Sequence, residues 1–207
     1  QHKRIALNII NIIGTSVVKI ILGFMVATAF MSMWISNTAT AVMMLPIALA
    51  IVSQLKDNPE TDENENKIFG KALMLGIAYS ASIGGVATLI GTPTNIMLAS
   101  ILSDSYGYKI SFIDWFIIGL PVTTILIPIV WLFLTKIMFK VSSKKSDALE
   151  NTLLKMKREI GKPNTSEKIV AFVFFLTATL WIFRKTLNEK FNLTLNDTSI
   201  GIMGALL

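Results

Sequence analysis

Long stretches of this sequence carry no charged residue. The largest are 20–55, 72–103, 115–135 and 169–183, of 36, 32, 21 and 15 residues, and a further run, 198–207, occupies the last ten positions. An α-helix rises about 1.5 Å per residue and a bilayer's hydrocarbon core is about 30 Å thick, so one crossing takes about 20 residues. Residues 115–135 fit one span. Residues 169–183 are short, but Lys168 at one end and Arg184 and Lys185 at the other can snorkel to the interfaces, so 169–185 is also predicted to span. The last run, 197–207, reads as the start of a further transmembrane helix.

The two longest runs do not fit a single crossing. As one helix, 20–55 would be about 54 Å long, and 72–103 about 48 Å. Two full crossings and a turn need somewhat more than about 40 residues. Residues 19–55 are therefore predicted to form a re-entrant hairpin of two short helices, with Ser36-Asn37-Thr38 at its tip. In 68–103 the run Gly91-Thr92-Pro93-Thr94-Asn95 predicts a broken transmembrane helix. Pro93 has no N–H and clashes with the carbonyl four residues earlier, at Leu89.

The remaining segments are polar or amphipathic. Residues 1–18, with the apolar stretch 4–13, are predicted to contain a short interfacial helix. Residues 56–67 form an acidic loop. Residues 136–168 hold nine Lys or Arg and four Asp or Glu. Within them, 148–160 place Leu153, Met156 and Ile160 at helical spacing, as in an amphipathic surface helix or a solvated loop helix. The basic loop 136–168 should be cytoplasmic by the positive-inside rule. The 56–67 loop and both feet of the hairpin then lie on the same side, and the connection 103–114 lies outside.

Composition agrees with this pattern. Of 207 residues 53% are apolar and only 15% charged, and mean hydropathy is +0.62. A soluble domain carries about 25% charge, so the chain is expected to be an all-α, multi-pass membrane protein. The net charge of +6 gathers in loops beside apolar segments, which does not call for a nucleic-acid partner. With no Cys, thiolate metal and redox chemistry are excluded. The chain starts at Gln1 and its last spanning pattern is ten residues long, so a piece of a longer protein is expected.

The two polar interruptions carry the candidate chemistry. Irregular backbone at membrane depth is tolerated only where protein or a water-filled site satisfies it. A broken helix offers carbonyl oxygens at one end, suited to a cation, and N–H groups at the other, suited to an anion. Ser32 lies one turn before Ser36 and adds a hydroxyl to the same face. Hydroxyl, amide and carbonyl oxygens suit a small hard cation, while Asn37 and Thr38 can also donate to a carboxylate. In the second interruption Gly91 permits close backbone approach, and Thr92, Thr94 and Asn95 add polar side chains. Neither interruption contains an acid or a base. Neutral groups alone hold a multivalent anion poorly, so a mobile cation such as Na⁺ is expected to supply the positive field and couple the two. A membrane enzyme would need paired Asp, Ser–His or a metal cluster at depth, and the charge-free runs contain none. A channel or a structural subunit are the other rivals. The blander reading of Ser36 and Thr38 is helix capping. Ser80, Ala81 and Ser82 are read as close helix packing, Asn196 and Asp197 as caps of the last helix.

The phrase Met33-Trp34-Ile35-Ser36-Asn37-Thr38-Ala39-Thr40-Ala41, followed by Met43-Met44-Leu45-Pro46-Ile47, resembles the Ser-Asn-Thr motif of the divalent anion/sodium symporters. Gly91-Thr92-Pro93-Thr94-Asn95 is similar to the paired unwound segment of that family, and the resemblance covers essentially the whole chain. It implies a homodimer of inverted repeats, each repeat giving a hairpin and a broken helix to one midplane site. It further implies carriage of dicarboxylates, citrate or sulfate with Na⁺ by an elevator movement, in a bacterial or archaeal inner membrane, with no organic cofactor. Ser32, Ser36 and Asn37, with backbone oxygen near Gly91, would hold sodium. Asn37, Thr38, Thr92 and Pro93 would contact substrate. The second Ser-Asn-Thr of the family is absent here, as a piece of a longer chain would have it. A sodium-independent anion exchanger of the same fold, or a sulfate-specific symporter, is the alternative.

Overall fold

In the computed structural model of the chain, residues 2–14, 16–56, 62–142, 153–155, 158, 161, 163–191 and 194–206 are described. The element at the centre is α2 (Val17–Ser32), whose only charge is the exposed Lys19 in its first turn and of whose 16 residues 11 are buried. A helix without a polar face has to be enclosed, and four neighbours enclose this one. On one side α1 (His2–Ile13) buries Ala6, Leu7 and Ile10. The two helices touch backbone to backbone, since a Cβ on Gly23 would stand 2.8 Å from the Ile10 Cα. On the other side lies α4 (Glu63–Val86), flanked by α3 (Asn37–Lys56) and α6 (Phe112–Leu132). Phe24, Met25, Met44, Ile51, Phe69 and Leu73 fill the space between them.

Helix ends follow from local chemistry rather than from where the charges stop. The acidic loop does not extend to Lys67: Asp62 caps α4 by accepting from the Asn64 N–H at 3.3 Å, and Glu63 and Glu65 sit in the first turn, where the helix dipole favours anions. Asn66 then donates to the Leu55 carbonyl at 3.0 Å, tying α4 to the end of α3. Likewise α6 begins at Phe112, before the charge-free run, because Ser111 and Asp114 form a reciprocal capping box. It continues as a π-helical segment, Phe133–Met138, in which the Thr135 hydroxyl bonds back to the Trp131 carbonyl at 2.7 Å. Residues 57–61 of the acidic loop lie outside the described residues, as does 148–160 except for the helical stretch 153–155 and Arg158.

Beyond α6, α7 (Thr165–Phe191) and α8 (Asp197–Leu206) pack against one another. At the start of α7, Asn164 and Glu167 cap each other, and Glu167 pairs with Arg4 of α1 at 3.0 Å. Asn196 caps α8 through the Ser199 N–H at 2.7 Å. Asp197, expected to share in that cap, instead pairs with Arg184 at 3.2 Å and accepts from the Phe112 N–H at 3.2 Å.

Among the described residues, three helices are long and apolar enough to cross a membrane: Glu63–Val86, Phe112–Met138 and Thr165–Arg184. Every regular element among the described residues is a helix. The shorter α2 and α5 (Pro93–Tyr106) are about 24 and 21 Å long, less than the hydrocarbon thickness.

Candidate functional site

Both sequence interruptions are irregular backbone, but each begins earlier than the motif suggests. α2 ends at Ser32, residues 33–36 are non-helical, and Asn37 already opens α3. α4 ends at Val86, residues 87–92 are non-helical, and Pro93 takes the first position of α5, where its missing N–H costs nothing. The helix therefore stops just after the Gly84-Gly85 pair, at Val86, and not at the proline.

Every carbonyl at the end of α4 has a donor. The Ile83 carbonyl accepts from the Thr123 hydroxyl at 3.0 Å and the Gly84 carbonyl from the Ala87 N–H at 3.0 Å. The Gly85 carbonyl accepts from the Asn95 amide at 2.8 Å, and the Val86 carbonyl from the Trp115 indole at 2.9 Å. Helix α6 comes close enough for this because Gly119 lies against the Val86 and Ala87 carbonyls, with no room for a Cβ. The last four carbonyls of α4 are thus satisfied by protein, as burial in a membrane demands.

The two interruptions meet. Ser32, fully buried, has its hydroxyl 2.8 Å from Asn37 Oδ1 and 2.6 Å from the Ala81 carbonyl oxygen. One hydroxyl proton serves one acceptor at a time. The Ala81 carbonyl also accepts the Gly85 N–H within α4, and the three neutral oxygens together are the donor chemistry of a small hard cation. The Asn37 amide rests on Gly85, where a Cβ would collide with it, and Gly91 in turn lies against the Gly85 carbonyl. So Ser32, Asn37 and Gly91 gather around the end of α4.

Among the described residues, no hydrogen bond joins Ser36, Thr38, Thr92 or Pro93 to this cluster, and none of them is buried. Ser36 is exposed and caps α3: its carbonyl accepts from the Thr40 N–H at 2.9 Å and its hydroxyl from the Ala39 N–H at 3.4 Å. Thr38 and Pro93 are exposed. Thr92 is half-buried, precedes α5 and accepts from the Thr94 hydroxyl at 3.4 Å. Among the described residues no group of three or more His, Cys, Asp or Glu could hold a metal ion.

Sequence reasoning missed three contributors, Ala81, Gly85 and Thr88, and gave a fourth, Asn95, a different role. Ala81 and Gly85 lie in a small-residue stretch that reads as packing, and they act through backbone oxygen and a bare Cα, which leave no trace in composition. Thr88 donates to the Met33 carbonyl across the two interruptions at 2.5 Å. Asn95, expected to offer its side chain to a ligand, uses its amide on the Gly85 and Thr88 carbonyls. The only signal for Thr88 and Asn95 is polarity inside a charge-free run.

Among the described residues the chain is all helical, has helices of membrane-spanning length and pools neutral oxygens between two interrupted helices. Comparison with known proteins makes this specific. The family model described as Citrate transporter matches residues 2–207. The sodium-dependent dicarboxylate transporter SdcS of Staphylococcus aureus strain USA300 is 44% identical over 211 positions, covering 100% of this chain and 40% of the relative. The protein of the same name from strain NCTC 8325 / PS 47 is 43% identical with the same coverage. The chain belongs to the citrate transporter family, which agrees with the symporter resemblance carried by the Ser-Asn-Thr and Gly-Thr-Pro strings. It spans 40% of the length of the curated relatives it matches.

Proposed function

We propose that this chain belongs to a sodium-coupled symporter of divalent anions, with C4-dicarboxylates or citrate as substrate. The observation that carries this is the meeting of three neutral oxygens, Ser32 Oγ, Asn37 Oδ1 and the Ala81 carbonyl, between the two interrupted helices. The names of the relatives and of the family support the choice of ion and substrate.

On this reading Ser32, Ser36 and Asn37, with backbone oxygen at Gly91, hold Na⁺. Asn37, Thr38, Thr92 and Pro93 contact the anion. Asn37 belongs to both sets and is the coupling element. With its Oδ1 turned to the cation, its Nδ2 is left to donate to a carboxylate. The ordering of Asn37 by Na⁺ is thus also the ordering of an anion donor. The N–H groups at the start of α3 and α5 add positive partial charge to the same place. Transferring a dianion from water to neutral groups is costly, and the adjacent Na⁺ charge offsets that cost.

The same reading takes 19–55 as a re-entrant hairpin and 68–103 as a broken transmembrane helix of one inverted repeat. Residues 115–135 and 169–185 are further spans, and 197–207 begins another. The loops 56–67 and 136–168 face the cytoplasm, and residues 1–18 contain an interfacial helix. The full-length protein is a homodimer in the plasma membrane, surrounded by lipid, moving its substrate by an elevator motion. It is a carrier and not an enzyme.

Uptake of radiolabelled succinate, citrate and sulfate by the full-length protein in proteoliposomes tests the proposal. Succinate or citrate uptake driven by an inward Na⁺ gradient is the expected result. Uptake of the same size without Na⁺ would replace it with an exchanger of this fold. Uptake of sulfate alone would make it a sulfate symporter.

A further inference from the structure

Thr88 and Asn95 close a ring of contacts around the site with their side-chain donors already committed. Thr88 is fully buried, and its hydroxyl donates to the Met33 carbonyl, 55 positions earlier, in the non-helical tip. Its own carbonyl accepts from Asn95 Nδ2 at 2.8 Å and from the Gly91 N–H at 3.2 Å. Asn95, 6% exposed, donates from the same nitrogen to the Gly85 carbonyl at 2.8 Å. Gly85 carries the Asn37 amide against its Cα. The ring therefore runs from Met33 to Thr88, to Asn95, to Gly85, to Asn37, and along the chain back to Met33.

From this geometry we infer that Thr88 and Asn95 are positioning residues: they fix the Ser32–Asn37 tip against the unwound segment 87–92 and so set the affinity of the cation cluster. The inference rests on the sodium reading proposed above. The nitrogen of Asn95 has two hydrogens, and two carbonyls take them. The one proton of the Thr88 hydroxyl is engaged by Met33. Neither side chain has a hydrogen left for a substrate carboxylate. Both instead tie carbonyls that would otherwise lack these partners, at a place where water is scarce. Loss of the Thr88 hydroxyl frees Met33, four residues before Asn37, and the cluster loses its fixed spacing. Sodium affinity suffers first, because it depends on several oxygens held together.

The test uses the full-length protein and two readouts: the Na⁺ concentration for half-maximal anion uptake in proteoliposomes, and thermal stabilisation of the purified protein by NaCl over choline chloride. Thr88→Val keeps the shape and removes the hydroxyl. It is expected to raise half-saturating Na⁺ about tenfold, as expected for one hydrogen bond to a buried carbonyl, and to remove most of the stabilisation by Na⁺. Thr88→Ser, which keeps the hydroxyl, should stay within about twofold of the parent by the same argument. Asn95→Leu, of similar size and uncharged, loses both donors and should behave as Thr88→Val. If Thr88→Val gives no folded protein, Thr88→Cys, a weak donor of similar size, should give an intermediate rise. An unchanged Na⁺ requirement in Thr88→Val, or equal impairment in Thr88→Ser, overturns the inference and leaves only packing for Thr88. Absence of any Na⁺ response in the parent protein overturns the sodium reading itself, and this inference with it.

Discussion

The carbonyl carbon of Ala29 lies 2.8 Å from where a Cβ on Gly84 would stand. Here α2 meets α4 backbone to backbone, less than one turn below Ser32. Adding one methyl group, Gly84→Ala, must push the two helices apart, and overpacking of this kind costs about 1–3 kcal/mol. The variant is expected to unfold several degrees below the parent in detergent. It should also require more Na⁺, because the Ser32–Ala81 hydrogen bond spans the same interface. Unchanged melting and unchanged Na⁺ dependence would show that the helices do not cross at this glycine.

Gly85 separates structural from functional damage. Its missing Cβ leaves room for the Asn37 amide rather than for another helix. Gly85→Ala is therefore expected to leave α2 against α4 and to displace Asn37 alone. Uptake should fall at least about tenfold, since a loss of about 1.4 kcal/mol has that effect on binding. The melting midpoint should fall less than in Gly84→Ala. If the two variants lose stability and uptake in the same proportion, Asn37 has no separate role.

Helix α6 holds the irregular segment in place through Thr123 and Trp115. Thr123 is 2% exposed, and its bond to Ile83 has no water to replace it. Thr123→Val should cost about 1–3 kcal/mol, the penalty for an unsatisfied buried carbonyl. The Trp115 bond to Val86 is exposed at the protein surface. In a lipid-facing position Trp115→Phe should cost as much as Thr123→Val; in a water-filled one it should cost little. Melting midpoints of the two variants in nanodiscs distinguish these settings.

How much of this is legible in the sequence depends on what each part is made of. The interruptions can be read because they place Ser, Asn, Thr, Gly and Pro inside runs too long for one helix and too short for two spans. Ser32 can be read from its spacing to Ser36. The ends of the helices cannot be placed from the charge-free runs. Asp62, Glu63 and Glu65 are polar enough to pass for loop, yet the cap at Asp62 makes them the opening of α4. Asp114 has the position of a span boundary and is instead part of the box that starts α6. Ala81 and Gly85 stay hidden because a carbonyl and a bare Cα have no side-chain identity. Asn95 stands where its polarity predicts, beside the site, but its amide nitrogen is committed to two carbonyls and not to a ligand. Partners ten and seven residues away on an unwound segment leave no periodic trace in the sequence.

Ser80 lies on α4 one turn from Gly76 and one turn from Gly84, both of which face α2 through Met25 and Ala29. It is fully buried, and its hydroxyl has no hydrogen-bond partner among the described residues. A Ser in a membrane helix ordinarily bonds back to the carbonyl four residues earlier, and here Gly76 does not receive it. An unpartnered buried hydroxyl costs about 1–3 kcal/mol by mutational data. Ser80→Ala removes one polar atom, creates almost no cavity and keeps the small-residue stripe on which α2 packs. The variant is expected to melt a few degrees above the parent, with the same Na⁺ requirement and the same uptake. A lower midpoint would mean that the hydroxyl finds a partner in the assembled transporter. A changed Na⁺ requirement would extend the polar site one turn deeper, below Ser32, along the face shared by α2 and α4.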